Sequence, residues 1–256
     1  QWGMLDWERP FVGLRNYVEA FRDPIFLRSL TNTLVYSLGV LPATLVIALM
    51  LALLVNQVRW KEFFRTVYFI PVVSSTVVVA TVWKVMYQPE YGLLNQIFML
   101  MGLPRMPWLT SPRTALFSIV IAAIWKNIGF YMVIYLAGLQ TIPQMYYEAA
   151  SLDGIGPWQR LRHITLPLLK PVLFFTTVIG LIGCLQVFDM VFIMSEQHQA
   201  HGGPANSTMV YALYIYEQAF RFLNMGYGAA LAFIGFAAIV FLTYLQFRFT
   251  DQESLY

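Results

Sequence analysis

Tyr68, Lys126, Asn127, Gln186 and Asp189 stand inside runs that are otherwise apolar. A charge or amide in such a run is costly in hydrocarbon, so it faces a cavity or a partner group. Gln186 and Asp189 are three apart, and Tyr68 and Ser75 seven apart, spacings that put each pair on one face of a helix. Trp125 precedes Lys126. Aromatic rings beside hydrogen-bonding groups suit a sugar, with rings stacking on its apolar face while amides and charges take its hydroxyls. The bland alternative is that Lys126 and Asp189 simply pair between helices. Lys84, near the end of its run, is expected to snorkel to the interface.

Covalent chemistry finds no support. No Gly-x-x-x-x-Gly-Lys-Ser/Thr loop is present to cradle phosphates, so any ATP used is hydrolysed by another polypeptide. Motif-level nucleophile arrangements are absent, and no catalytic residue is expected. Cys184 is the single cysteine, which rules out an internal disulfide and a cysteine metal site. His198 and His201 lie three apart in a polar stretch lacking further ligands, so solvated histidines are expected and no metal. A net charge of +3 does not identify a nucleic-acid partner, and none is expected.

The second chemical feature is a long polar interruption from Thr141 to Pro167. Thr141 and Gln144 have capping-box spacing and Pro143 sits in a first turn, predicting a short helix from near Ile142. Gly154 is placed to end it in the left-handed conformation. Asp153-Gly154-Ile155-Gly156-Pro157 then reads as a tight turn. Pro157 opens a second short helix with Arg160, Arg162 and His163, which Pro167 and Pro171 are expected to stop. The product is a helix-turn-helix elbow at a membrane surface, with basic residues behind its tip.

Glu148-Ala149-Ala150, then Gly154, Ile164 and Leu166-Pro167, resembles the EAA loop of permease subunits of binding-protein-dependent ABC importers. The Asp153-Gly154 form is similar to the carbohydrate and polyol branch, of the maltose and glycerol-3-phosphate type. The resemblance implies that residues 142–167 dock in a cleft of a separate ATPase. Glu148 would make the polar contact, Ala149 and Ala150 would keep the helix slim, and Asp153 and Gly154 would form the turn. It also implies substrate contacts near Tyr68, Lys126, Asn127 and the stretch from Gln186 to Asp189. Residue types differ from the maltose-type relative at several of these places, so a shared substrate does not follow. Gly202-Gly203-Pro204 resembles a periplasmic loop of the same permeases. Gly13-Leu14-Arg15-Asn16-Tyr17 and Asn32-Thr33 resemble the segment after their first span, which implies that one span precedes this sequence.

These residues need elements to hold them. Of 256 residues, 59% are hydrophobic and 11% charged, against about a quarter charged in soluble domains, and the mean hydropathy is +0.62. An integral membrane protein follows. Spans near the roughly 20 residues a bilayer needs are expected at 30–55, 63–87, 115–139, 172–194 and 227–247, with an interfacial helix over 16–26. Small-residue stretches at 180–183 and 229–238 suit helix packing, with a second permease or within the chain. Basic residues tie in number between the two sides, but those at Arg59, Lys61, Arg65, Arg160, Arg162, Lys170 and Arg248 are packed into shorter connections. The positive-inside rule then puts the elbow and C-terminus in the cytoplasm, against Arg9 and others outside.

The expected fold is all-α, a polytopic membrane helical bundle in one transmembrane domain over 1–256, with five visible spans, six in the full chain, and a cytoplasmic coupling helix. The expected function is the permease subunit of an ATP-driven importer in a bacterial or archaeal inner membrane, working by alternating access. Expected partners are a second permease subunit as a heterodimer, two ABC ATPase subunits carrying ATP and Mg, a periplasmic or lipid-anchored substrate-binding protein, and lipid. No cofactor is expected on this chain. The competing reading is a stand-alone secondary transporter or channel with Lys126 and Asp189 as an ion or proton relay.

Overall fold

The computed structural model describes residues 11–196 and 201–251, and every element in it is helical. His198 and Arg9 lie outside the described residues. Two compact units emerge. One is built from residues up to Val40, Thr76–Ala123 and Leu181 onward, the other from Leu41–Ser75 and Ile124–Gly180.

The predicted interfacial helix is two elements. Arg15–Ala20 (α1) stops short, and Pro24–Gln57 (α2) starts a new helix. Asp23 makes the division: its Oδ1 accepts from Ile25 N at 2.8 Å, and Pro24 at the first position has no donor to lose. Pro42 sits inside α2 without ending it.

The second expected span is broken. Lys61–Val73 (α3) and Thr76–Met86 (α4) are separate helices, with the helical geometry lost at Ser74 and Ser75. The Ser74 hydroxyl donates to Ile70 O at 3.0 Å, and Ser74 turns extended with ψ 139°. A hydroxyl competing for the same carbonyl as the backbone, three residues after Pro71, weakens the helix there. Tyr68 and Ser75 therefore do not share a helical face, contrary to their spacing.

Leu93–Leu100 (α5) lies in the following connection, and Ala115–Gln140 (α6) is an uninterrupted helix. The elbow helices are Gln144–Leu152 (α7) and Pro157–Arg160 (α8). A π-helical turn over Leu161–Thr165 leads directly into Leu166–Leu185 (α9). Pro167 and Pro171 thus do not stop the helix. Pro167 lies inside this continuous helical run just after the π-helical turn, where the regular hydrogen-bond ladder is already interrupted. Pro171 is absorbed inside α9, as membrane helices allow where neighbouring groups satisfy the freed carbonyl.

The fourth expected span is also interrupted. After α9, Gln186 to Phe188 leave helical geometry, with Phe188 at φ −136°, and Asp189–Ser195 (α10) restarts the helix. Tyr211–Tyr216 (α11) and Met225–Asp251 (α12) complete the chain. Among the described residues, four runs are long and apolar enough to cross a membrane: Pro24–Gln57, Ala115–Gln140, Pro157–Ser195 and Met225–Arg248. The broken α3–α4 pair makes a fifth if it is one span.

In the second unit the core joins Ala48, Ala52 and Val55 of α2 to Met132, Tyr135, Leu136 and Leu139 of α6 and Leu169 of α9. The Tyr135 hydroxyl shares a 2.9 Å hydrogen bond with Thr176 Oγ1, so the one polar tip in that packing is satisfied.

In the first unit α4 packs against α10. The connection after α4 is fastened by Asn95, which is 1% exposed. Its Nδ2 donates to Pro89 O (3.1 Å) and Met106 O (3.0 Å), and its Oδ1 accepts from Met106 N and Trp108 Nε1 (both 3.0 Å). Asn32 fastens a second connection, with Nδ2 donating to Asn206 O and Met209 O at 2.9 Å each.

Candidate functional site

The elbow forms nearly as its residues require, with one change at its start. Pro143 is the cap residue of α7, with no side-chain cap, and Thr141 Oγ1 instead donates back to Gly138 O at 2.8 Å. The predicted capping box is absent because Thr141 is tied back to Gly138 O at the C-terminal end of α6, and α7 starts at Gln144.

The C-terminal end of α7 follows expectation. Gly154 has φ +70°, Gly154 N donates to Ser151 O (3.2 Å) and Ile155 N to Ala150 O (2.9 Å). This is the paired hydrogen bonding that closes a helix through a left-handed residue. Arg160 Nε donates to Ile155 O at 2.7 Å and locks the turn onto α8. The Tyr147 hydroxyl meets Thr165 Oγ1 at 3.0 Å, tying α7 to the π-helical turn. The elbow is therefore a stiff, internally braced piece.

Its surface divides. Ala150 is buried within its own unit, while Glu148, Ala149, Asp153 and Gly154 are exposed. Leu152 is 90% exposed and Trp158 70% exposed, with Met145 also outward. Large apolar side chains displayed beside a carboxylate on a braced turn are what a protein partner buries. Sequence reasoning singled out Glu148, Ala149, Ala150, Asp153 and Gly154 but gave no role to Leu152 or Trp158. The signal was available, as two large apolar residues flanking the Asp153-Gly154 turn.

The candidate solute residues fall on both units. In the second unit, Tyr68 on α3 and Lys126 and Asn127 on α6 are all half-buried. Two residues beyond Asn127, Gly129 lies so close to α3 that a Cβ there would sit 1.8 Å from Tyr68 O. Glycine is therefore obligatory at that crossing. The structure thus brings the backbones carrying Tyr68 and Asn127 together. In the first unit, Gln186 lies in the break after α9 and Asp189 opens α10, both exposed. Their shared helical face is not realised, because the helix they were read from is interrupted between them. Asp189 instead occupies a first helical turn, where a carboxylate is favoured.

Lys84 does more than snorkel: its Nζ lies 3.5 Å from Glu196 Oε2, joining α4 to the residue after α10. Asp23 also has a role that the sequence did not reveal. It accepts hydrogen bonds from the hydroxyls of Tyr214 and Tyr227, the latter at 3.1 Å. Burial, with the Asp23 carboxylate adding to it, pushes the Tyr214 hydroxyl well above the ordinary tyrosine range, so it remains a donor. Among the described residues no cluster of three or more metal-ligating side chains occurs.

The family model for the inner membrane component of binding-protein-dependent transport systems matches residues 44–252. The chain belongs to that family. It is 39% identical to the lactose transport system permease protein LacF of Rhizobium radiobacter, over 93% of this chain and 80% of the relative. It is 36% identical to the probable ABC transporter permease protein YurN of Bacillus subtilis (strain 168), over 99% of this chain and 88% of the relative. A chain in the crystal structure of a bacterial alginate ABC transporter, in complex with an alginate pentasaccharide-bound periplasmic protein, superposes with a TM-score of 0.86. That match has 26% identity and covers 95% of this chain and 84% of the other. The all-α polytopic bundle is thus the permease fold. The chain is a multi-pass integral membrane protein and a transport subunit of the ABC permease class, not an enzyme.

Proposed function

We propose that this chain is one transmembrane subunit of an ATP-driven importer for a carbohydrate or related polar solute, seated in the cytoplasmic membrane of a bacterium or archaeon. The observation that carries the proposal is the elbow. In a member of the permease family, Glu148-Ala149-Ala150, Gly154 and Leu166-Pro167 form a braced turn whose apolar residues point outward. One of two ABC ATPase subunits holding ATP and Mg grips it, with Glu148 making the polar contact and Leu152 and Trp158 the apolar one. Gly154 shapes the tip, Asp153 lies beside it, Ala149 leaves room for the cleft wall, and Ala150 seats α7 on its own unit.

A second permease chain completes the pathway as a heterodimer, and a periplasmic or lipid-anchored binding protein delivers solute. The carbohydrate class is supported by the lactose permease relative and by the alginate transporter whose chain shares this fold. Within one unit Tyr68, Lys126 and Asn127 offer a ring and hydrogen-bonding groups of the kind that a hydroxylated solute takes, and within the other Gln186 and Asp189 offer an amide and a carboxylate of the same kind. Closure of the ATPases moves the elbow, and the spans alternate access to the two sides.

Affinity purification of the tagged chain from its native membrane tests this. An ATPase and a second permease should come with it, and vesicles holding the assembly should take up solute only with ATP and binding protein. A chain that purifies alone and moves solute on an ion gradient would overturn the reading. Thermal-shift screening of the copurifying system's binding protein identifies the solute.

A further inference from the structure

We propose that the turn between α2 and α3 is a binding site for the phosphate headgroup of an anionic phospholipid. Arg59, Trp60, Lys61, Glu62 and Phe63 line an open recess of about 640 Å³ there. The carboxylate in its lining, Glu62, is matched by Arg65 at 3.2 Å. Arg59 and Lys61 therefore leave the recess with net positive charge. Lys61 Nζ donates to Asn56 Oδ1 at 3.3 Å, a neutral partner that positions the ammonium without cancelling it.

The aromatic residues decide which anion fits. Trp60 is 71% exposed and Phe63 59% exposed, flanking the cations. Phe63 meets Phe64 edge-on at 5.7 Å, and Phe64 packs against the buried core of its unit, so the patch is anchored. α2 ends at Gln57 and α3 begins at Lys61, so the turn joins two membrane segments. A phosphate in water offers nothing to two exposed rings. A phospholipid offers phosphate to Arg59 and Lys61, and its glycerol and upper acyl region to Trp60 and Phe63. Tryptophan favours that depth, and basic residues there favour anionic lipid by about fivefold each. The inference rests on the chain spanning a membrane and not on which solute it carries.

The test uses the assembled transporter in nanodiscs, with Trp60 read as the fluorescence difference between wild type and Trp60→Phe. Nanodiscs of unbrominated zwitterionic lipid receive a small fraction of brominated phosphatidylglycerol or brominated phosphatidylcholine. Brominated phosphatidylglycerol should quench Trp60 several-fold more at equal mole fraction. Arg59→Gln with Lys61→Gln should abolish that preference while quenching in fully brominated phosphatidylcholine persists, which shows that the turn is still folded at the same depth. Equal quenching by both lipids in wild type overturns the proposal. So does a preference that survives the double substitution. Loss of the preference on adding inorganic phosphate, with unchanged lipid composition, would assign the site to free phosphate and also overturn it. Protection of Trp60 from both lipids would mark the turn as a protein interface and overturn it as well.

Discussion

Replacing Gly154 separates backbone strain from every other effect at the elbow. Gly154 has φ +70°, and a Cβ built there would meet nothing within 4 Å. A Cβ there therefore meets no neighbour, and the cost of a β-branched residue such as valine is chiefly the left-handed backbone, at least about 1–2 kcal/mol. That lowers the fraction of elbows keeping both closing hydrogen bonds, Gly154 N to Ser151 O and Ile155 N to Ala150 O, by roughly 5–30-fold. Asparagine visits this region readily and is the control. In the reconstituted complex, Gly154→Val should reduce solute-stimulated ATP hydrolysis by at least about fivefold, with expression near normal because no packing is disturbed. Gly154→Asn should stay close to wild type. If the two variants couple equally well, the left-handed turn is not what shapes the coupling surface, and the reasoning fails.

Other expectations follow from the same geometry. Leu152→Ser removes a large apolar side chain that the partner should bury, worth about 1.5–3 kcal/mol, so ATPase retention on the purified permease should drop by an order of magnitude or more, as quantitative pull-down would show. Asn127→Ala and Asp189→Asn should each impair uptake while the complex still assembles on size-exclusion chromatography, and normal uptake in both would remove them from the solute site. Asn95→Leu removes the partner of four groups, one of them the buried Trp108 Nε1–H, whose loss alone costs about 1–3 kcal/mol, so amide exchange over the connection between α4 and α6 should accelerate by at least about fivefold while α6 itself stays protected.

What the sequence disclosed and what it hid divide along physical lines. Spans are legible because hydrocarbon demands length and apolarity, which a window average sees. Gly154 is legible because chirality leaves few other residues for a left-handed cap. The breaks at Ser74–Ser75 and Gln186–Phe188 are invisible to that average, since hydropathy does not change where backbone geometry does. The facing of Gln186 with Asp189 and of Tyr68 with Ser75 failed for this reason, as helical periodicity presumes an unbroken helix. Pro167 and Pro171 misled because a proline stops a helix only where a donor is needed and nothing else satisfies the carbonyl. Thr141 has the right spacing for a cap, yet α6 held it. Asn95 passed unnoticed as one of two polar residues, with Gln96, in the otherwise apolar run 93–100, although all four of its hydrogen bonds hold a connection together.

The measurement that goes most directly to the central claim is a cross-link from the elbow. Cys184 is buried, so a cysteine introduced by Leu152→Cys is the accessible thiol among the described residues. In the assembled transporter, a short thiol cross-linker should join position 152 to the ATPase subunit, and the yield should change when ATP hydrolysis is arrested. A thiol that instead reacts with a membrane-impermeant reagent applied from outside intact cells, and gives no ATPase adduct, would contradict the account.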